Sequence, residues 1–562
     1  MGTVIGIDLG TSTTEAAVFQ DGKPVMVKNF ENDVITPSVI GLDEEGGFVI
    51  GERARAQYLM APERTAIEIK RKMGTDETIT LGSGNFTPVE LSAKLLEYVK
   101  QYVSDYMGEE ITRAVISVPA YFDDIQRKAT VAAGAKAGLE VERILNEPTA
   151  AALSYGLDHM EEESHILVYD LGGGTFDVTL LEMFEGVLEV KASSGDNKLG
   201  GKDFDECLIE WMINEFEKEN HVNLRKDSFA MARLKDEAEK CKKHLSTEDS
   251  WRISIPFLLN KNGKPLGFDK TITVEFFEQL IAPLVERTHQ PIDVVLSDSG
   301  IAPSEIDKVI LVGGSTRVPL IARDIREYLN MEPELSVNPD FAVAEGAAIQ
   351  AAIIEGLIDN EESLVVTDVN PYTLGVRVTD GISDDCMSVV IPRNVTIPVM
   401  RSEIYYTNAD GQTEADIEVY QGESSIASHN HLLGKFRISG IPVRKAGEER
   451  IRVEFSYNLN GMLEVEAKIV STGKQASIEI DMMEGEKSER IDVSMWKDAP
   501  GAKAFRTVIR RAERRLQELE ENEPLLFEEL DDSLYYLKEA LIKGDMEQAK
   551  EEEEFIMELL EE

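Results

Sequence analysis

The stretch Val4–Phe19, VIGIDLGTSTTEAAVF, decides the fold, because a similar stretch returns later in the chain as Ile166–Leu181, ILVYDLGGGTFDVTLL. In each copy an apolar run ends in Asp-Leu-Gly and a second apolar run follows, so that Asp8 corresponds to Asp170. Each copy predicts a buried strand, a tight turn and a second strand. The separation is too long for a solenoid repeat. We therefore expect two similar lobes, each presenting one such turn.

Composition limits the class of protein further. The chain has 562 residues, which at roughly 150 residues per domain predicts three or four domain-sized units. Hydrophobic residues make up 42% of the chain, which is enough for packed cores and argues against a wholly disordered protein. The formal net charge of -47 repels phosphate backbones and therefore disfavours a general nucleic-acid role.

Cysteine usage and hydropathy indicate the compartment. The three cysteines, Cys207, Cys241 and Cys386, are too widely spaced for a disulfide framework or a zinc cluster, and they indicate a reducing environment. No basic segment followed by an apolar stretch precedes the first strand, and no window approaches 18 uninterrupted apolar residues. We therefore expect a cytoplasmic protein with no membrane partner.

The first 363 residues alternate between strand-like and helix-like segments. Short β-branched or apolar runs such as Ala114–Val118 and Val309–Val312 predict strands of a buried sheet. Amphipathic stretches between such runs predict helices over Leu91–Met107 and Asp227–Leu245. This alternation indicates α/β layers.

The sequence pattern changes twice in the remainder of the chain. Residues 364–369, LVVTDV, are predicted to be an interdomain linker. Residues 370–485 alternate with period two, and Asn460-Gly461 between two alternating runs predicts a type I′ hairpin in an all-β domain. Residues 486–562 are predicted to form a short helical segment.

Three turns containing glycine carry the chemistry, and each follows a predicted buried strand: DLGT from Asp8, DLGGGT from Asp170 and GGSTR from Gly313. Glycine lets backbone N–H groups approach an anion closely, and Thr and Ser add hydroxyl donors. The chain has no Walker A pattern and no GxGxxG opening a helix, which disfavours a P-loop enzyme and a simple dinucleotide fold. We predict a phosphate site, with Mg²⁺ held through water by Asp8 and Asp170 because Mg²⁺ keeps much of its hydration.

In these and further motifs the chain resembles the DnaK-type 70-kDa heat-shock chaperone family over essentially its whole length. The matching motifs are GIDLGTST, SVPAYFDDIQRKAT, RILNEPTAAALSYGLD, DLGGGTFDVTLLE, GDNKLGGKDFD, LVGGSTRVPL, NPDFAVAEGAAIQAA and TDVNPYTLGV. The short overall form is similar to the HscC-type bacterial subgroup. The resemblance implies a multidomain chain with an actin-like α/β two-lobed ATPase domain at 1–363, an all-β sandwich peptide-binding domain and a short α-helical lid.

The resemblance also implies a site for ATP or ADP with Mg²⁺ and, as an optional further cation, K⁺. Lys70 in AIEIKRKMG matches the family's lysine beside the γ-phosphate, where an ammonium offsets the charge that develops during phosphoryl transfer. The implied catalytic residues, whose carboxylates would surround the metal and the attacking water, are Lys70, Asp8, Glu147, Asp170, Asp177 and Thr175. The implied nucleotide contacts are Gly10, Thr11, Ser12, Thr13, Gly172, Gly173, Gly174, Glu239, Lys242, Lys243, Ser246, Gly313, Gly314, Ser315, Arg317 and Asp340.

Further matches concern coupling between domains. Arg143 matches a position that meets the linker and J-domain cochaperones, and Asp368 matches the linker's acidic residue. Pro119 and Arg127 match a pair that relays the nucleotide state. A purely structural role is the alternative for each of these four residues. Thr367 replaces an apolar residue that the family has in the linker, which predicts weaker docking of the linker on the ATPase domain.

The β-domain is expected to bind an extended apolar peptide in a channel through main-chain hydrogen bonds and a central pocket. The residues that match positions around the channel, with sandwich core as the alternative, are Val376, Val378, Tyr405, Ala415 and Ile417. Thr379 and Asn408 fall where the family builds an apolar arch over the peptide, so altered peptide specificity is predicted. A short lid predicts fast release of peptide in ADP.

The functional hypothesis is an ATP-dependent chaperone that binds and releases extended apolar segments of client proteins, with ATP hydrolysis coupled to peptide affinity. Its expected partners are client peptides, a J-domain cochaperone and, optionally, a nucleotide-exchange factor. The first alternative is a small-molecule kinase on the actin-like fold, which Lys70 and the β-rich domain disfavour. The second is a scaffold that binds ATP without turnover, which the intact set of acidic residues and Lys70 disfavour.

Overall fold

The computed structural model describes most of the chain: residues 2–157, 159, 163–184, 186–261, 263–334, 337–358, 365–379, 383–479, 496, 502–503, 505–519 and scattered positions from 534 to 560. The chain divides into two compact units, Met1–Met482 and Met483–Glu562. Residue 364 of the predicted linker and much of the predicted helical segment after 485 lie outside the described residues.

The first lobe of the larger unit is built on a mixed six-stranded sheet. The strands of the whole lobe, including those outside this sheet, are β1 (Val4–Leu9), β2 (Thr13–Gln20), β3 (Lys23–Met26), β4 (Thr36–Pro37), β5 (Ile40–Leu42), β6 (Phe48–Ile50), β7 (Thr65–Ala66), β8 (Ile79–Leu81), β9 (Gly84–Phe86), β10 (Arg113–Val118) and β11 (Glu140–Asn146). The sheet has the order β11-β10-β1-β2-β3, with β4 paired to β2. β1, β10 and β11 run parallel, whereas β1, β2 and β3 run antiparallel.

Four helices accompany this sheet: α1 (Glu52–Tyr58), α2 (Pro88–Met107), α3 (Asp124–Lys136) and α4 (Glu147–Gly156). The helix predicted from Leu91 is confirmed as α2, which begins earlier because Thr87 and Glu90 form a capping box around Pro88 in its first turn. Its apolar face, including Leu95 and Val99, packs into the core of the lobe.

The second lobe repeats the layered arrangement. Its strands are β12 (Ser164–Leu171), β13 (Phe176–Phe184), β14 (Val187–Asp196), β15 (Ser250–Lys261), β16 (Lys264–Thr273) and β17 (Lys308–Val312), and its helices are α5 (Gly201–Asn220), α6 (Ser228–Leu245), α7 (Val274–Glu286), α8 (His289–Ser299), α9 (Pro319–Leu329) and α10 (Ala342–Glu355). The predicted helix over Asp227–Leu245 is confirmed as α6. Asp227 lies just outside it as the N-cap, accepting a hydrogen bond from the Ala230 N–H.

The internal repeat predicted two equivalent hairpins, and the structure confirms them. β1 pairs with β2 so that Asp8 lies opposite Glu15, and β12 pairs with β13 so that Asp170 lies opposite Asp177. α10 packs across β1 and β2 of the first lobe and against α4. Both hairpins therefore present their turns toward the same cleft between the lobes.

The rest of the larger unit is β-structure. Its strands are β18 (Val365–Val369), β19 (Leu374–Val378), β20 (Cys386–Ile391), β21 (Thr396–Ile397), β22 (Val399–Tyr406), β23 (Glu414–Gln421), β24 (His431–Ser439), β25 (Arg450–Tyr457), β26 (Leu463–Ile469) and β27 (Gln475–Glu479). Two antiparallel four-stranded sheets, β20-β19-β23-β24 and β22-β25-β26-β27, share one apolar core. Because inward and outward side chains alternate along β25 and β26, the predicted period of two is confirmed there.

The predicted type I′ turn at Asn460-Gly461 is wrong. The hairpin exists, but its loop runs over residues 458–462, between the ends of β25 and β26. Gly461 has φ +70°, whereas Asn460 is not among the residues with positive φ, and a type I′ turn requires positive φ at both central residues. The Asn458 side chain closes the wider loop by accepting hydrogen bonds from the backbone N–H groups of Asn460 and Met462.

The segment predicted to be a linker forms an ordered strand over its described residues. β18 runs parallel to β14 of the second lobe through Val365, Val366 and Thr367, and its end pairs with β21 of the β-domain. The second lobe's sheet therefore has the order β17-β12-β13-β14-β18-β21 and continues into the β-domain.

The smaller unit contains α11 (Arg506–Leu519). Its described apolar side chains form a core of their own that includes Trp496, Phe505, Ile509 and Leu537. Among the described residues of the whole chain, no helix is long and apolar enough to cross a membrane.

Candidate functional site: a cleft between two lobes

A cavity of about 660 Å³ opens between the two lobes and is lined by both. All of the residues predicted to bind nucleotide or catalyse its hydrolysis line it, except Gly174 and Asp177. Those that line it are Asp8, Gly10, Thr11, Ser12, Thr13, Lys70, Glu147, Asp170, Gly172, Gly173, Thr175, Glu239, Lys242, Lys243, Ser246, Gly313, Gly314, Ser315, Arg317 and Asp340. Residues from seven separate parts of the sequence therefore meet in one place.

The two glycine turns come together across the cleft. A Cβ atom added to Gly173 would lie 2.2 Å from the Ser12 Oγ of the opposite lobe, so a side chain at this position would displace the Ser12 hydroxyl and crowd the close approach of the two turns. The Ser315 hydroxyl donates to the Gly172 carbonyl oxygen at 2.7 Å and holds the third turn against the second. The turns thus concentrate backbone N–H groups and hydroxyls where an anion can enter.

Lys70 lies at the centre of the cleft in a short 3-10 turn over Ile69–Lys72. Its Nζ is 2.5 Å from Glu147 Oε1, and both side chains are at most one-tenth exposed. Glu147 begins α4, directly after β11. A buried lysine in this position can neutralise charge on a transferring phosphoryl group.

The carboxylates around Lys70 are crowded. Burial and the neighbouring Glu147 raise the pKa of Asp8 to about 7, although Lys70 and a hydrogen bond from the Ser117 hydroxyl act to lower it. Burial and Glu147 likewise raise the pKa of Asp177 to about 7. Asp170 has its pKa raised well above its ordinary value by burial and by three neighbouring carboxylates. Such a cluster favours a cation when its carboxylates are ionised.

The cluster fits the predicted magnesium ion. Asp170 Oδ2 and Asp177 Oδ2 are buried and have no hydrogen-bond partner, although Asp177 Oδ1 accepts from the Tyr121 N–H at 2.9 Å. Among the described residues, no group of three or more His, Cys, Asp or Glu side chains converges closely enough to bind a metal directly. The open oxygens suit a hydrated Mg²⁺, which several carboxylates contact through its water ligands.

The far end of the cavity carries paired charges rather than free ones. Burial opposes ionisation of Glu239, but Lys202, Lys243 and Arg55 outweigh it and hold the pKa of that carboxyl at about 2. Lys242 donates to Asp205 and to the Gly201 carbonyl oxygen, both at 2.8 Å. Arg317 pairs with Asp340. These pairs present both donors and acceptors, as a sugar and a base require.

Sequence reasoning missed several side chains of the cleft. Arg71, next to Lys70, donates to the Gly174 carbonyl oxygen at 3.0 Å and pairs with Asp203, so it ties the first lobe to the second. Arg55 reaches across to Glu239 at 3.0 Å. The run IKRK offered a basic signal for Arg71, whereas no local pattern marks Arg55.

Three of the four residues predicted to couple the domains lie at or beside β18: Asp368, Arg127 and Arg143. Asp368 is 5% exposed, lies 3.3 Å from the Thr149 hydroxyl, and is bonded to Asn146. Burial raises its pKa, which Arg127 and Arg143 act to lower. The fourth, Pro119, lies in the turn that leads to α3, where its carbonyl oxygen accepts from the Phe122 N–H.

Arg127 joins this group to the cleft and to the β-domain. Its guanidinium donates to Asn146 Oδ1 at 2.7 Å and to the carbonyl oxygens of Ala120 and Phe122. Asn146 directly precedes Glu147, the partner of Lys70. The guanidinium also packs against Gly461 of the loop that connects β25 and β26.

The predicted peptide positions divide into two groups. Val376 and Ile417 are buried in the sandwich core, and Val378, Tyr405 and Ala415 are partly buried against it. Thr379 follows β19, Asn408 follows β22, and both are exposed. Tyr405 donates its hydroxyl to Ser388 at 3.0 Å.

Two lobes that close on a cavity rich in backbone donors, with a buried lysine and carboxylates at its centre, define a two-lobed ATPase. The family model described as Hsp70 protein matches residues 4–80 and 75–561, which is nearly the whole chain. The chain is 48% identical over 478 residues to proteins named chaperone protein DnaK from Thermotoga petrophila, Thermotoga maritima and Thermotoga neapolitana, covering 84% of this chain and 80% of each relative.

The chain therefore belongs to the Hsp70 family. It is an ATP-dependent chaperone with ATPase activity, and it binds nucleotide. The alternative of a small-molecule kinase finds no support in these comparisons.

Proposed function

We propose that this chaperone binds extended apolar peptide segments in its β-domain and couples their release to ATP through β18. The observation that carries the proposal is the unbroken set of contacts from Lys70 through Glu147 and Asn146 to Asp368. Because this set begins at the nucleotide cleft and ends on the strand that enters the β-domain, closing the cleft around ATP can bias the position of that strand.

In the cleft, the proposed roles follow the chemistry of each side chain. The turns at Gly10 and Gly172 hold the phosphates, and Asp8 and Asp170 hold Mg²⁺ through water. Mg²⁺ would offset phosphate charge and assist departure of the leaving group. Lys70 stabilises charge on the transferring phosphoryl group, and Glu147 orients Lys70 by their 2.5 Å contact.

The base and ribose of the nucleotide take the far end of the cavity. Glu239 and Lys242 lie one turn apart on α6, and Ser246 at its C-terminal end donates to the Lys242 carbonyl oxygen. Arg317, held by Asp340, can stack on the base. K⁺ is retained as an optional further cation, because the cleft has more carboxylates than Mg²⁺ requires.

Client peptides, a J-domain cochaperone and an optional nucleotide-exchange factor are the proposed partners, and the proposed compartment is the cytoplasm. The proposed domains are 1–363, 364–369, 370–485 and 486–562, the last as a short helical lid. A lid of this size would release peptide quickly in ADP. Exposed Thr379 and Asn408 at the ends of β19 and β22 would shift the preference of the channel away from purely apolar segments.

The test is the stimulation of ATP hydrolysis by an extended apolar peptide. Asp368→Asn removes the buried charge between Arg127 and Arg143 but keeps the shape of the side chain, so basal hydrolysis should remain within a few-fold and stimulation should be lost. Asp384→Asn, at an exposed position of the β-domain, is the matched control and should leave stimulation intact. Normal stimulation in Asp368→Asn would disprove coupling through β18.

A further inference from the structure

One reactive pair of residues takes no part in nucleotide or peptide binding. Asn460-Gly461 is one of two Asn-Gly pairs in the chain, and Asn262-Gly263 is the other. Asparagine is thermolabile, because the backbone nitrogen of the next residue can attack its side-chain amide carbon. A following glycine hinders that attack least, since it has no Cβ atom and its backbone turns freely. Both pairs are therefore candidates for slow, uncatalysed deamidation.

The reaction needs only water. The Gly461 nitrogen forms a bond to Asn460 Cγ, the Cγ–Nδ2 bond breaks, and Nδ2 leaves as ammonia with the proton of the Gly461 N–H. The product is a five-membered succinimide ring. Water then opens the ring at either of its two carbonyl carbons and leaves aspartate or isoaspartate at position 460. Both products add a negative charge, and isoaspartate also lengthens the backbone by one carbon.

The loop between β25 and β26 engages the backbone nitrogens of the pair. The Gly461 N–H, which would supply the nucleophile, donates to the Asn458 carbonyl oxygen at 3.0 Å. The Asn460 N–H donates to Asn458 Oδ1 at 2.9 Å. A nucleophile that is held by a hydrogen bond in another direction cannot reach the attack geometry until that bond breaks. The loop conformation of this structure therefore opposes the reaction.

The first lobe holds the group that would be attacked. Asn460 Oδ1 accepts a hydrogen bond from the Ile144 backbone N–H at 3.2 Å. Ile144 lies on β11, the edge strand of the first lobe's sheet, so the asparagine satisfies an N–H group at that edge. Gly461 is buried against the Arg127 guanidinium, whose atoms would lie 3.1–3.3 Å from an added Cβ atom. The pair can therefore rotate into the attack geometry only when the loop leaves the first lobe.

Further contacts make departure of the loop part of a larger movement. The Leu463 N–H, just after the loop, donates to Asp124 Oδ1 of the first lobe at 3.1 Å. Arg393 of the β-domain makes a bidentate pair with Asp298 on α8 of the second lobe, at 2.7 and 2.9 Å. The loop is thus held by the same docking that holds the β-domain, and the reactivity of Asn460 is linked to release of that domain.

We propose that Asn460 is a site of spontaneous deamidation, which docking of the β-domain on the lobes protects and release exposes. The proposal rests on the proposed function in requiring that the β-domain can leave the lobes. Deamidation then accumulates with the time that a chain spends released. Isoaspartate redirects the backbone at Gly461, so a modified loop no longer fits against Ile144 and Arg127. The modification therefore also weakens later docking.

The experiment follows deamidation of the nucleotide-free full chain by mass spectrometry of its proteolytic peptides, after incubation in a mildly alkaline buffer. A synthetic peptide of residues 455–466 gives the unprotected rate at Asn460. The internal reference is Asn262, because Gly263 after it is exposed between β15 and β16. In the wild type, Asn460 should react about tenfold or more slowly than in the synthetic peptide, since only the released fraction of the chain reacts.

Two variants weaken docking from opposite sides of one contact. Arg393→Met and Asp298→Ala each remove the bidentate pair, so the released fraction and the rate at Asn460 should rise about threefold to fivefold. The rate at Asn262 should not change. Arg437→Met, which breaks an exposed pair within the β-domain, is the matched control and should leave both rates unchanged. The thermal midpoint of each variant verifies folding.

Deamidation of Asn460 at the rate of the synthetic peptide, or a wild-type rate in both docking variants, would overturn the proposal. A slower rate in those variants would also overturn it, by showing that the Ile144 N–H polarises the amide and assists the attack. Failure of the proposed function gives a different result. If nucleotide does not alter peptide release while Asn460 still reacts faster in the docking variants, coupling through β18 fails and this proposal stands.

Discussion

The nucleotide cleft and the β-domain handle polar groups in opposite ways. In the cleft, Asp8, Asp170 and Asp177 are buried close together without full compensation, whereas the core of the β-domain is formed by apolar side chains of its two sheets. The crowded carboxylates of the cleft therefore lower its stability and leave it responsive to a cation and phosphates, whereas apolar packing stabilises the sandwich. Between them lies β18, which pairs with β14 of the second lobe and with β21 of the β-domain.

The largest effect is expected in the cleft, from Lys70→Ala. Loss of the ammonium should lower the rate of ATP hydrolysis by about 100-fold or more, because charge on the transferring group is no longer offset. ADP affinity should stay within a few-fold, since the turns hold the phosphates. Single-turnover hydrolysis and ADP titration measure the two quantities.

The matched control for this prediction is Lys72→Ala, two residues further along the same turn. Lys72 is far more exposed and pairs with Glu77, so its loss should leave turnover near the wild-type rate. Wild-type turnover in Lys70→Ala would remove the lysine from the mechanism.

The crowding of carboxylates predicts a pH-dependent stability of the nucleotide-free, metal-free protein. The pKa of Asp8 is raised to about 7 by folding, so its favourable protonated form is present at low pH and lost as pH rises through about 7. In Asp8→Asn the side chain is neutral at every pH, so the variant does not undergo this loss of stability. The stability of the variant relative to the wild type should therefore rise between about pH 4 and about pH 7, by on the order of 1–3 kcal/mol, and stay constant above that range.

Thermal midpoints of both proteins across this pH range provide the measurement. Asp76→Asn, an exposed carboxylate of the first lobe, serves as control and should follow the wild type at every pH. A constant difference between Asp8→Asn and the wild type would mean that Asp8 is not destabilised by its surroundings.

The contact between the two regions is tested by a smaller effect. Arg393 of the β-domain makes a bidentate pair with Asp298 on α8, at 2.7 and 2.9 Å. A double-mutant cycle with Arg393→Met and Asp298→Asn should show a coupling energy of about 1 kcal/mol in the ATP-dependent rate of peptide release. The pair Arg437 and Asp416 lies within the β-domain and should show no coupling in that rate. Equal coupling energies for the two pairs would contradict a role of the Arg393–Asp298 contact in docking the β-domain on the second lobe.

The smallest effect concerns Thr367 on β18, whose Oγ1 is buried without a hydrogen-bond partner. Thr367→Val removes the hydroxyl and keeps the shape, so docking of β18 should strengthen by about 0.5–1 kcal/mol. Slower proteolysis of the segment 364–369 in ATP would measure this gain, with Thr472→Val at an exposed position as control. Faster cleavage of Thr367→Val would show that the hydroxyl is favourable where it lies.

The two regions also differ in how far the sequence predicts them. The repeat of Asp-Leu-Gly predicted both hairpins, because an apolar run with a glycine turn is a local signal. Glu15 was not predicted as a residue of the cleft, because a glutamate in a strand is usually exposed and only the folded register places it opposite Asp8. Arg55 was missed for a related reason, since its partner Glu239 is distant in the sequence.

In the β-domain, period-two alternation predicted strands but not the length of a loop. Asn460-Gly461 was assigned to a two-residue turn, and the loop proved to be wider because Asn458 closes it through its side chain. Contacts such as Arg127 with Gly461 cross from one region to the other and leave no pattern in a single sequence. The contacts between the two regions could therefore be found only in the structure.

The central claim is that nucleotide in the cleft controls peptide affinity in the β-domain. The most direct test is the dissociation rate of a fluorescent extended apolar peptide from the full chain, first with ADP and then with Mg-ATP. The account predicts clearly faster release with Mg-ATP. Binding of the peptide with the same release rate in both nucleotides would contradict it and leave the cleft and the β-domain as independent sites.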